Sequence, residues 1–220
     1  DSGIAVLQVT APEAMCAGGL GADELAMLPD LSPFTAIGAG PGLGTSAPSI
    51  ALIRRLLDVA RVPLVLDADA LNILAAERDL LARLPERSLL TPHPKEFERL
   101  MGRRFETGYE RLQAARDAAK DWRCIVVLKG AHTAVCLPDG HVRFNTTGNP
   151  GMAKGGMGDA LTGMIGALLA QGLTLTDAAR AAVHVHGLAG DLARRRHSEI
   201  AMQTTDLIAE LGAAFTTLQA

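Results

Sequence analysis

Leu64-Val65-Leu66-Asp67-Ala68-Asp69-Ala70-Leu71-Asn72-Ile73-Leu74-Ala75-Ala76 passes from a three-residue aliphatic run into a helical pattern across a single aspartate. An apolar run this short, bounded by Pro63 and Asp67, reads as a strand buried on both faces. The apolar residues after it, at three- and four-residue spacing, read as a helix. Strand-then-helix units of this kind recur along the chain, and their alternation predicts a parallel sheet with crossover helices. Strands are expected over residues 4–9, 34–37, 64–66, 88–90, 125–128, 133–137 and 142–144. Helices are expected over 46–60, 68–76, 94–101, 109–121, 161–170, 176–195 and 205–218. Pro138-Asp139-Gly140 between the last two strands has turn chemistry, so an antiparallel hairpin should close one edge of a mixed sheet. Gly102 and Gly172 stop the helices before them, Thr176 with Asp177 starts another, and the C-terminal third forms a helical layer.

The 220 residues, 48% of them hydrophobic, suit one α/β domain, and no repeat, low-complexity tract or linker divides them. A net charge of −3 argues against broad electrostatic contact with nucleic acid, and 3% aromatic content leaves little for base stacking. An anionic ligand must then be held locally. Cys16, Cys124 and Cys136 form no CxxC pair, and their context predicts reduced structural thiols. No apolar run approaches the roughly 18 residues of a membrane span and no leader pattern is visible, so a cytoplasmic protein with no membrane contact is expected. The chain opens at Asp1 directly into an apolar run, which suggests a fragment.

Residues 146–159, Thr146-Thr147-Gly148-Asn149-Pro150-Gly151-Met152-Ala153-Lys154-Gly155-Gly156-Met157-Gly158-Asp159, carry five glycines and lead into an apolar helix. Glycines let successive N–H groups converge on an anion, and the helix start adds unpaired donors and partial positive charge. Asn149, Gly155 and Gly156 are the candidate anion loop, with Lys154 as a mobile charge. Asp159 is either an ordinary first-turn carboxylate stabilising the helix dipole or a base that takes a proton from a hydroxyl beside the phosphate it attacks. The pattern G-x-x-x-x-G-K-[ST] is absent, so a P-loop is excluded. Gly38-Ala39-Gly40-Pro41-Gly42-Leu43-Gly44 does not match the dinucleotide fingerprint. It is either a tight strand-to-helix turn or a point of ligand approach at the C-terminal edge of the sheet, with Thr45 or Ser46 as cap.

Together with Asp67-Ala68-Asp69-Ala70-Leu71-Asn72, Thr91-Pro92-His93-Pro94-Lys95-Glu96 and Lys129-Gly130-Ala131-His132-Thr133, these segments resemble, in order and from end to end, the ADP- or ATP-dependent NAD(P)H-hydrate dehydratases. That family comprises carbohydrate-kinase-like members of the ribokinase-like fold. The resemblance implies a three-layer αβα domain of nine or so strands over residues 1–220, N-terminally incomplete, its first strand and helix lying upstream of Asp1. It implies dehydration of the hydrated forms of NADH and NADPH, by phosphoryl transfer from ADP to the hydrate hydroxyl and elimination of phosphate, with Mg²⁺ neutralising the transferred group. By the same resemblance Asp159 is the catalytic base. Gly42, Gly44, His93 and Asp159 meet the hydrated nucleotide, and Lys129, Gly130, Ala131, His132, Thr133 and Gly158 line the ADP site. A homo-oligomer, with a tetramer as candidate, and fusion to an NAD(P)H-hydrate epimerase domain are also implied. Lys154 departs from the small residue the family pattern has at its position.

Blander readings stand beside several of these residues. His93 could be a packed neighbour of a helix cap, and Glu96 either a first-turn carboxylate or a water-mediated Mg²⁺ ligand. Asp67 and Asp69 could cap a helix or face ligand, and Lys129 could be a snorkelling edge lysine. His184 and His186, two apart on a helix, make a poor metal pair, and Arg194-Arg195-Arg196 suits a solvated helix end. Two other functions share the phosphate loop: a small-molecule alcohol kinase of the same fold, and a catalytically silent nucleotide-binding module.

Overall fold

The computed structural model describes residues 2–16 and 28–218. Six strands form one sheet in the order β1 (Ile37–Ala39), β2 (Leu64–Leu66), β3 (Ser88–Leu90), β4 (Ile125–Leu128), β5 (Ala134–Cys136) and β6 (Val142–Phe144). The first four are parallel, while β4 with β5 and β5 with β6 are antiparallel, which places the expected hairpin at the sheet edge. Six strands, rather than nine or so, are present among the described residues.

Every residue of β2 to β5 is buried, so each strand feeds two cores by alternation. Leu64, Leu66, Leu90, Val126, Leu128, Ala134 and Cys136 point into the core covered by α2 (Ala47–Val59), α3 (Ala68–Ala76), α4 (Pro94–Met101) and α5 (Gly108–Asp121). Val65, Leu89, Ile125, Val127 and Val135 point to the opposite core under α6 (Met157–Ala170), α7 (Leu175–Ala201) and α8 (Thr204–Thr216). The result is three layers, with the C-terminal helices on one face. Burial pushes the Cys124 thiol up to about 12 and the Cys136 thiol to about 11, so both stay protonated, and Cys16 is free and exposed.

Residues 4–9, expected as a strand, lie in helix α1 (Ser2–Thr10). An apolar run broken only by Gln8 carries too little periodicity to separate the two forms. A helix satisfies its own backbone, as in the Ala11 N–H to Leu7 carbonyl bond of 2.7 Å, whereas a strand needs a paired neighbour, and β1 pairs only with β2 among the described residues. Val6 and Val9 remain exposed on α1. The expected strand at 34–37 is displaced to Ile37–Ala39, because Phe34 closes a turn onto the Leu31 carbonyl and the register runs Ile37 to Leu64. Helix α7 is started by Thr174, whose hydroxyl accepts from the Asp177 N–H at 3.1 Å, two residues before the expected Thr176. The helix also outlasts the expected end at 195, breaking only at Ser198 (φ 67°).

Gly40 follows β1 with φ 128°, and a Cβ there would be driven into the backbone carbonyl of Asp67. The ends of β1 and β2 therefore approach more closely than any side chain permits. Gly40→Ala is expected to lower unfolding stability by about 3 kcal/mol in urea titration, from overpacking and backbone strain combined. A loss below about 1 kcal/mol would show that the strand ends can separate freely.

Candidate functional site

The parallel strands end on one edge of the sheet, and their next residues converge there: Gly40 after β1, Asp67 after β2, Thr91 after β3 and Lys129 after β4. Asp67 is 1% exposed. Its carboxylate accepts from Lys129 Nζ at 2.8 Å and from the Thr162 hydroxyl of α6 at 2.9 Å. Asp67 precedes α3 without a side-chain capping bond, and Asp69 turns toward the glycine turn instead, accepting from the Gly44 N–H at 2.9 Å and from Asn72 Nδ2 at 3.2 Å. Lys129 is no free edge lysine: it joins β4 to β2 and lies 3.8 Å from Glu96.

His93 caps α4, its Nδ1 accepting from the N–H groups of Lys95 and Glu96, while Glu96 Oε2 accepts from the His93 N–H at 2.8 Å. Acceptance at Nδ1 puts the ring proton on Nε2. Burial lowers the His93 pKa, an effect that Glu96 opposes and Lys129 reinforces, so the ring is neutral near pH 7. The capping function and the cavity position coexist in this residue.

A cavity of about 760 Å³ opens over this edge, within the size range of nucleotide sites. Of the expected site residues it brings together His93, Glu96, Lys129, Gly130, Ala131, Thr133, Asn149, Gly155, Gly158 and Asp159. Gly42, Gly44, His132 and Gly156 do not line it. Gly156 stands just behind the wall as the left-handed N-cap of α6 (φ 84°), and Gly44 is tied to Asp69. A second cavity of about 460 Å³ lies beside it, under the β5–β6 hairpin, and shares only Asn145 and Val183 with it.

Helix α6 points its start into the larger cavity. The N–H groups of Gly155, Gly156, Met157, Gly158 and Asp159 find no acceptor among the described residues, the first turn of a helix having none of its own. Gly158 is bare where a Cβ would come 3.1 Å from Lys129 Nζ and 3.3 Å from Asp67 Oδ2, so the ion pair sits against the helix start. Asp159, exposed and lining the cavity, has no hydrogen bond or ion pair among the described residues. Four of these donors, on Gly155, Met157, Gly158 and Asp159, a cationic lysine and the Asp159 carboxylate therefore face the same space. Such a set holds an anion and can take a proton beside it. Among the described residues no cluster of His, Cys, Asp or Glu could cage a metal. Asp67 and Glu96, in contrast to Asp159, are engaged by protein donors.

His186 was weighed in the sequence only as half of a metal pair. It lies buried on α7, and its Nε2–H donates to the Met157 carbonyl at 2.9 Å while its ring lines the cavity. Burial pulls its pKa down to about 4, opposed by that bond and aided by Lys129. Lys154 reaches away from the anion position: its Nζ donates to the carbonyls of Ile200 at 2.8 Å and Met202 at 2.5 Å. Asp191, absent from the sequence reading, accepts from the Gly148 N–H at 2.9 Å and from Asn149 Nδ2 at 3.0 Å. Gly187 and Gly190, three apart inside α7, give away these contacts, because a Cβ on either would strike Thr147 or Met152.

The αβα fold is ribokinase-like: a solved ribokinase-like superfamily protein of Enterococcus faecalis superposes with a TM-score of 0.73 at 28% identity, covering 83% of this chain and 63% of that one. Residues 2–212 match the Carb_kinase family model, described as NAD(P)H-hydrate dehydratase, and the chain belongs to that family. It is 41% identical over 205 residues to the bifunctional NAD(P)H-hydrate repair enzyme Nnr of Moorella thermoacetica, covering 92% of this chain and 38% of that protein. It is 41% identical over 175 residues to the ADP-dependent (S)-NAD(P)H-hydrate dehydratase of Neisseria meningitidis, covering 78% of this chain and 58% of the relative. The solved ADP/ATP-dependent NAD(P)H-hydrate dehydratase of Bacillus subtilis, co-crystallised with ATP/Mg²⁺, superposes with a TM-score of 0.80 at 30% identity, covering 97% of this chain and 75% of that one. The chain thus spans about two fifths of the length of the first curated relatives it matches. No helix among the described residues is long and apolar enough to cross a membrane.

Lys129→Met would leave Asp67 ionised and buried with only Thr162 as donor, and is expected to destabilise the fold by about 3 kcal/mol. The double variant Asp67→Asn/Lys129→Met should recover much of that loss in the same denaturation assay, whereas simple additivity would deny the pair its coupling. His186 gives a pH prediction. Its folded pKa of about 4 lies below the ordinary 6.5, so the unfolded chain takes up the proton first. Its contribution is intact above pH 6.5 and is lost as pH falls from 6.5 toward 4, by up to about 3 kcal/mol. His186→Gln should flatten the stability profile in that window, and an unchanged slope would remove His186 as its source.

Proposed function

We propose that this chain dehydrates hydrated NADH and NADPH at the expense of ADP, through the cavity at the strand ends. The observation that carries the reading is the meeting of the open amides of Gly155, Met157, Gly158 and Asp159 with the Asp159 carboxylate, which has no partner among the described residues, in a space of about 760 Å³. The donors bind phosphate oxygens and stabilise charge as it spreads over the transferred phosphoryl group. Lys129, fixed by Asp67, adds a positive charge at the same edge.

In the proposed sequence the Asp159 carboxylate takes the proton from the hydroxyl of the hydrated ring. The freed oxygen attacks the terminal phosphorus of ADP, whose bond to the bridging oxygen breaks to give AMP. The ring nitrogen's lone pair then expels phosphate from carbon and restores reduced nicotinamide after loss of a ring proton. Mg²⁺ bound with the nucleotide supplies charge neutralisation. Glu96 contributes through water if at all, since Oε2 already serves His93. His93, with its proton on Nε2, offers a donor to the hydrate, and Gly130, Ala131 and Thr133 lie along the wall for the AMP part. Gly42, Gly44 and His132 reach a ligand only where it extends beyond this cavity.

Asp159→Asn removes the base and leaves the amides, so turnover should fall about a thousandfold while ADP affinity, measured by calorimetry, stays within about threefold of wild type. A variant with full turnover would reject Asp159 as base. The reaction itself is tested with purified hydrates: recovery of reduced-nicotinamide absorbance together with AMP and phosphate supports dehydration, and a stable phosphate ester instead identifies an alcohol kinase. Binding of ADP with neither product would identify a silent nucleotide module.

A further inference from the structure

We propose that Asp191 and Lys154 are positioning residues that clasp the phosphate loop at its two ends to helix α7, so that the loop is shaped before nucleotide arrives. The proposal rests on the nucleotide reading given above for what the loop binds, and on geometry alone for how the loop is held.

At the entry, Asp191 uses both carboxylate oxygens: Oδ2 accepts from the Gly148 N–H and Oδ1 from Asn149 Nδ2. Asn149 then turns its own Oδ1 to the Gly151 N–H at 3.1 Å, which starts the short 3-10 turn Pro150–Met152. One half-buried carboxylate thereby fixes, directly or through Asn149, three residues of the loop, Gly148, Asn149 and Gly151. The Thr147 hydroxyl adds a bond to the His184 carbonyl at 2.8 Å, two turns earlier on α7. The bare faces of Gly187 and Gly190 let the loop lie directly on the helix.

At the exit, the positive φ of Ser198 breaks α7 and leaves carbonyls without helical partners beyond the break. Lys154 donates to two of them, those of Ile200 and Met202. The Thr204 hydroxyl of α8 donates to the Gly155 carbonyl at 2.7 Å. Thr204 also lies 3.2 Å from where a Gly156 Cβ would stand, closing the far side of the left-handed cap. Directly after the second fastening come the amides that face the cavity, with His186 holding the Met157 carbonyl from the same helix. Lys154 therefore acts on phosphate through the backbone it anchors. Its charge sits on helix-end carbonyls, a role a small residue could not fill.

The test uses Asp191→Asn, Lys154→Met and Lys154→Arg in the chain as it stands, with two readouts. Hydrogen exchange without nucleotide should speed up at the amides of Gly148 and Gly151 in Asp191→Asn, and at those of Lys154 and Ala160, bonded to the Met152 and Gly156 carbonyls, in Lys154→Met, with exchange in β2 to β4 unchanged. ADP dissociation constants from calorimetry should rise about tenfold in both variants, as a loop displaced by a fraction of an ångström loses aligned donors. Lys154→Arg, whose planar fork can reach both carbonyls, should restore both readouts. Exchange at wild-type rates in the loop of either variant overturns the clasp, and so does a weakened Lys154→Met that arginine fails to rescue. A wild-type chain that binds no ADP would overturn the nucleotide reading instead, leaving exchange to decide the clasp.

Discussion

Asp67 is the point at which the layers are tied together. It leaves the end of β2, accepts from Lys129 at the end of β4 across the intervening β3, and accepts again from Thr162 one turn inside α6. A carboxylate at 1% exposure is costly to bury unless donors surround it, so its partners are held as firmly as it is. That single group fixes the strand ends relative to the helix whose open amides face the cavity. Gly158 completes the arrangement by having no side chain to push α6 away.

From that junction the chemistry follows with few additions. The helix start supplies donors in fixed directions, and the lysine supplies charge at a depth where solvent screens it less. Asp159 stands one residue beyond the glycine, close to the donors yet without a partner of its own among the described residues. Burial keeps His93 and His186 neutral near pH 7, so neither competes with Lys129 as a cation. A neutral imidazole with its proton fixed on Nε2 is a hydrogen-bond donor of defined direction rather than a second charge.

Much of this was readable in advance, and the residues show why. Strands such as Leu64–Leu66 and Ile125–Leu128 are apolar throughout because both sheet faces are covered, and Pro, Gly or Asp mark their limits. Helices α3 and α4 have the expected bounds, since Ala68 follows a buried aspartate and Gly102 adopts the left-handed stop with φ 66°. Residues 4–9 misled because five apolar residues interrupted only by Gln8 suit either form, and only the presence or absence of a pairing strand decides. The acid group at Asp159 and the glycine loop were visible by composition and order. The roles of Asp191, Lys154 and Asp67 were not, because each acts on a residue between 42 and 95 positions away, and local pattern carries no such distance. The glycines at 187 and 190 were the one local sign that something lies hard against α7.

Trp122, the single tryptophan, ends α5 and packs against the core on the α2–α5 side of the sheet, away from the residues that line the cavity. Its emission therefore reports on one layer of the sandwich and is nearly silent about the other, where α6, α7 and the glycine-rich loop reside. Intrinsic fluorescence and far-ultraviolet dichroism thus view different parts of this molecule, and any separation between the two signals on heating would reveal the C-terminal helices loosening ahead of the sheet.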